Sequence, residues 1–79
     1  MIYSFLQNGD SAVTVQFKNE ISEEVNRRVT GLCNRIEAKH INGIIELVPT
    51  FASLTVFYDC TIISSKKLKK KIRQFSKKN

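Results

Sequence analysis

In 79 residues the chain has one proline, one histidine and two cysteines, and no acid follows Asp59. Each scarcity excludes something. Cys33 and Cys60 lie far apart and form no CxxC pair, so two unpaired thiols are expected, Cys33 on an apolar helix face and Cys60 more accessible after a strand end. No run approaches the ~18 apolar residues of a membrane span. The opening MIYSFLQNGD has no basic n-region and too short an apolar run for a signal peptide, so a cytoplasmic location is expected. Gly9, Gly31 and Gly43 stand alone and build no phosphate-binding loop. His40 with Glu37 offers two ligands on one helix face, fewer than a metal site needs. A cysteine nucleophile would need a base beside it. Cys33 and His40 are seven residues apart, with Cys33 on the apolar stripe, and the seven acids form no recognisable pair. No catalytic residue, metal or cofactor is expected.

What is present suits one small domain. A chain of this size buries roughly 60% of its unfolded surface. With 42% apolar residues and five phenylalanines it can build one core between two layers. The net charge of +6 is unevenly spread: residues 1–59 carry five basic residues against seven acids, a net of −2, and residues 60–79 carry eight basic residues and no acid, a net of +8. The basicity belongs to the tail.

Ile2 to Leu6 is a short apolar run ending in Gln7-Asn8-Gly9-Asp10, a turn cluster that suits a hairpin. In SAVTVQF, Val13, Val15 and Phe17 alternate with Ala12, Thr14 and Gln16, the period of a half-buried strand. Ser22 is placed to cap a helix, and Glu23 and Glu24 favour its positive end. Val25, Val29, Leu32, Cys33 and Ile36 then recur at helical spacing, which predicts a helix from about Glu23 to Lys39. ELVPTFASLTVFYD reads as two strands hinged at Pro49, which cannot donate to a ladder and belongs at a strand end. Ser64 or Ser65 can cap a last helix, where Leu68, Ile72 and Phe75 fall at i, i+4 and i+7. The expected fold is α+β: a two-layer β-β-α-β-β-α unit with a four-stranded antiparallel sheet and two helices on one face.

One helix layer covers one face of a sheet, and that decides where Glu46 goes. Val13, Val15, Phe17, Ile45, Leu47, Leu54, Val56 and Tyr58 sort toward the helices. Ile44, Glu46, Val48, Thr55 and Phe57 sort to the open side with Ala12, Thr14 and Gln16. Burying Glu46 unpaired would be costly, so the open side is its consistent position. That face is apolar enough to serve as a candidate interaction surface. A homodimer formed through it stays open. The second candidate surface is basic: Lys66, Lys67, Lys69, Lys70, Lys71 and Arg73. Phe75 is the only aromatic there and no recognition motif accompanies it, which argues against nucleic acid. Three apolar residues make a narrow face for an anionic membrane. A covering helix with a solvated lysine face is the plain reading.

Taken together, NGDSAVTVQFKNEISEEVNRRVTGL and INGIIELVPTFASLTVFYD resemble the N-terminal domain of the allophanate hydrolase subunit 1 family. Its members include KipI-type inhibitors of sporulation histidine kinases and the B subunit of prokaryotic 5-oxoprolinase. The resemblance runs from about Ile2 to Phe75. It rests on Gly9-Asp10, Asn26-Arg27-Arg28-Val29, Glu46-Leu47-Val48-Pro49, Ser53-Leu54 and Tyr58-Asp59. Cys60 stands where the family usually has proline. Family members continue into a cyclophilin-like β domain, absent from residues 1–79, which are expected to form a single N-terminal-type domain. The resemblance implies a two-layer α/β unit without catalytic residues of its own. It implies a protein partner, either the other subunit of an ATP-dependent 5-oxoprolinase or a sensor histidine kinase, and does not choose between enzyme component and kinase inhibitor.

Overall fold

The computed structural model describes residues 3–17, 23–50 and 52–76. Along the chain run β1 (Tyr3–Gln7), β2 (Ala12–Phe17), α1 (Glu23–Lys39), β3 (Ile44–Pro49), β4 (Ser53–Tyr58) and α2 (Ser65–Ser76). The element order and the α+β class are those the sequence predicts, and α1 has the predicted bounds. Ser22, the cap expected for α1, lies outside the described residues. For α2 the cap is Ser64, whose Oγ accepts from the Lys67 amide at 3.2 Å while its carbonyl takes the first helical bond from Leu68.

All strand pairs are antiparallel, in the order β1-β2-β4-β3. The two hairpins therefore meet through their second strands, and the centre of the sheet joins distant parts of the chain. Both helices pack on one face. Val13, Val15, Phe17, Leu54, Val56 and Tyr58 from the sheet meet Val25, Val29, Leu32 and Ile36 of α1 and Leu68 and Ile72 of α2. This core follows from the two periodicities, alternation in the strands and a three-to-four spacing in the helices.

Polar groups complete the packing. The Tyr58 phenol, 1% exposed, accepts from Gln7 Nε2 at 2.9 Å, so a buried hydroxyl is satisfied across the sheet. Arg35 of α1 donates to the Phe75 carbonyl at 3.0 Å, meeting one of the unpaired carbonyls in the last turn of α2 with a positive charge. After β4, the Asp59 carboxylate accepts from the Thr61 hydroxyl at 2.6 Å and the Thr61 amide at 2.9 Å. Those bonds hold its carboxyl below the usual range, the hydroxyl contributing most. Cys60 lies within this turn, between Asp59 and Thr61.

Two residues between α1 and β3 have left-handed backbone. His40, just past the helix, has φ 47°. This is the position glycine favours at helix ends. His40→Gly removes a strain of about 1–2 kcal/mol and adds unfolded-state freedom of about 0.4–1 kcal/mol, so a net gain of up to about 1.6 kcal/mol is expected, read as a higher urea midpoint. Gly43 has φ 105°, and a Cβ built there would lie 2.6 Å from Cγ2 of Ile63.

Candidate functional site

The face of the sheet away from the helices is the first candidate surface. Its cross-strand rows are set by the register: Ala12, Phe57 and Glu46 in one, Leu6, Thr14, Thr55 and Val48 in the next, then Ser4, Gln16 and Ser53. Glu46, Val48, Thr55 and Phe57 thus lie together as the alternation predicts. Ile44 does not. The ladder slips between Ile44 and Glu46, so Ile44 pairs with Tyr58 and packs against the core, while Ile45 is 69% exposed. A β-bulge adds one residue to one strand and inverts the alternation on its far side. The assignment of Ile44 to the open face and Ile45 to the core is corrected accordingly.

Leu6 joins this face, half exposed, through its pairing with Thr14. The sequence reading missed it because it assigned no face to the first strand. Leu6, Val48 and Phe57 are the exposed apolar residues around a polar centre, where Thr14 and Thr55 hydroxyls lie 3.1 Å apart and Asn8 donates to Thr14 at 2.6 Å. Ala12 and Thr14 are nearly buried on this face although no helix of the described residues covers it. The arrangement, with the exposed Glu46 carboxylate at its margin, suits a contact surface.

The second surface is α2. Leu68 and Ile72 are fully buried and Phe75 packs beside them, so the apolar side of the helix is consumed by the core. Lys66, Lys67, Lys70, Lys71 and Arg73 are exposed and Lys69 is half-buried. With its apolar side occupied, α2 keeps no greasy face to lay into a bilayer. No helix of the described residues is long and apolar enough to cross a membrane.

Glu37, His40 and Glu46 line one open hollow between the end of α1 and β3. Among the described residues no three His, Cys, Asp or Glu side chains gather into a metal-holding group. Cys33 is half-buried against the core, and burial, with Glu37 second, pushes its thiol up. His40 is exposed at the far end of the helix, and Cys60 is exposed and unpaired. A thiol reagent is therefore expected to label Cys60 in a fast phase and Cys33 at least about tenfold more slowly. Equal rates would contradict the packing of Cys33.

Sheet and helices together define a two-layer α+β module. Residues 3–79 match the family described as "Carboxyltransferase domain, subdomain C and D", and the chain belongs to that family. It is 47% identical over 57 residues, 72% of its length, to the 5-oxoprolinase B subunit of Bacillus subtilis (strain 168). It spans about a quarter of that relative, 24% of its length. Among solved structures, the N-terminal domain of the histidine kinase inhibitor KipI from Bacillus subtilis aligns over 94% of this chain and 83% of its own, with TM-score 0.77 and 36% identity. The conserved protein PH0987 of Pyrococcus horikoshii aligns over 94% of this chain and 34% of its own, with TM-score 0.86 and 36% identity.

Proposed function

We propose that this chain acts as a non-catalytic, N-terminal-type domain of a 5-oxoprolinase B subunit, supplying protein contacts to a cytoplasmic complex that hydrolyses 5-oxoproline at the expense of ATP. The 47% identity to the Bacillus subtilis protein is the observation that carries the reading. The open sheet face supports it, since Leu6, Val48 and Phe57 present apolar surface around a hydrogen-bonded centre. Chemistry then resides elsewhere in the complex. The test is co-purification of the chain with the other 5-oxoprolinase polypeptides from the source cell, comparing wild type with Phe57→Glu. Retention by wild type and loss in the variant, at an unchanged urea midpoint, supports the reading. Absence of those polypeptides from both preparations overturns it.

The second reading is a protein-contact domain of a sensor-kinase inhibitor. The KipI N-terminal domain favours it, because the alignment covers most of both chains. Lower autophosphorylation of a cognate kinase on adding the purified chain supports this reading, and unchanged autophosphorylation at saturating chain counts against it.

A further inference from the structure

The two outer edges of the sheet are built differently. β3 carries devices that discourage pairing: a bulge between Ile44 and Glu46, the charge of Glu46, and Pro49 at its end. β1 has none of them. Its sequence, YSFLQ, contains no charge and no proline, and its five pairs with β2 run without a slip. The hydrogen bonds fix which groups reach the outer edge. Asn8 N–H donates to the Ala12 carbonyl and Tyr58 N–H to the Ser11 carbonyl, each at 2.9 Å. Even-numbered residues of β2 therefore bond β1, and odd-numbered residues bond β4. Ser4 and Leu6 are turned toward β2 by that alternation, and the main-chain groups of Phe5 and Gln7 turn outward. No strand of the described residues takes them up.

What flanks this edge selects its occupant. The Arg73 guanidinium lies 5.2 Å from the centre of the Phe5 ring, which places α2 over β1. At about 100° per residue, Lys66 and Lys69 share the Arg73 side of the helix. Lys67 and Lys71 fall on the other side, where with Lys39 they line a hollow near the end of α1. Neither Lys66 nor Lys69 has an acidic partner among the described residues. Two copies pairing through β1 would bring two such lysine rows together over one sheet, and like charges oppose that arrangement. An extended segment with acids at alternate positions meets both features. Its backbone continues the ladder while its carboxylates, all on one side, reach the lysines.

We propose that the outer edge of β1, with Lys66 and Lys69 above it, is a docking site for an acidic, extended segment of a protein partner. This goes beyond the complex proposed above, which does not depend on this edge. The test titrates the full chain with a short capped peptide alternating Glu and Val, followed by amide NMR. Saturable shifts at Phe5 and Gln7, with slowed amide exchange there, are expected. K66E/K69E should weaken binding about tenfold or more, whereas K67E/K71E, of equal charge change, should stay within about twofold. All these positions reach solvent, so circular dichroism should report native folds. Equal weakening by both double variants would reduce the site to diffuse charge and overturn the proposal. So would Phe5 and Gln7 shifts that follow protein concentration without peptide, which would make a second copy the occupant. Tighter binding of an oligothymidylate of the same charge would overturn it in favour of a phosphate backbone.

Discussion

Replacing Gly43 with alanine lowers the stability of the fold by about 2–5 kcal/mol, the sum of two separate costs. The first is conformational: φ of 105° lies where side chains are rarely tolerated, a strain of about 1–2 kcal/mol. The second is steric. The new Cβ would sit 2.6 Å from Cγ2 and 3.1 Å from Cβ of Ile63, and 3.1 Å from Cγ2 of Ile62. Ile63 is only 5% exposed and cannot swing into solvent, so the backbone must move, at about 1–3 kcal/mol. The Gly43 carbonyl also accepts from the Asp59 amide at 2.7 Å, so the displacement reaches the end of β4. A domain of this size loses about 4–8 °C per kcal/mol. A fall in Tm of less than about 4 °C would contradict this account. Gly31 is the control, because a Cβ there meets nothing within 4 Å and Gly31→Ala in mid-helix should stabilise.

Leu68→Ala is expected to be the second severe substitution. Leu68 is fully buried, and with Ile72 it holds α2 to the sheet. Truncation leaves a cavity costing about 2–5 kcal/mol. Marginal stability of about 0.05–0.15 kcal/mol per residue means that loss takes a large share of the total. Lys70→Ala, on the exposed side of the same helix, should change the urea midpoint by less than about 0.5 kcal/mol equivalent. If both variants shifted it equally, α2 would be held by its charges rather than by its apolar side.

Much of this was legible in the sequence, for reasons that can be named. Val13, Val15 and Phe17, and Leu54, Val56 and Tyr58, keep an unbroken period of two, so strand and buried face follow together. The stripe from Val25 to Ile36 does the same for α1. Ile44-Ile45 gave no such signal, because two adjacent isoleucines fit either face and the bulge decides between them. The strand order was equally hidden, since each hairpin looks complete by local pattern and only the joining of β2 to β4 assembles the sheet. Of the candidate surfaces, composition marked the lysines of α2 and alternation marked Glu46, Val48, Thr55 and Phe57. Leu6 and the unguarded edge of β1 emerge only once neighbours across the sheet are known.

The joining of β2 to β4 also bears on how the molecule is made in time. Each hairpin is local and can form within microseconds. The central seam links Gln16 to Ser53 and Ala12 to Phe57, separations of 37 and 45 residues, and must wait for α1 and its flanking turns to bring the halves together. Val15 and Leu54 face each other there, both fully buried. Shortening Val15 to alanine should then slow refolding, whereas shortening Val48 on the outer hairpin should mainly hasten unfolding. A nascent chain cannot close this sheet until β4 has left the ribosome, and until then the apolar side of its first hairpin stays uncovered.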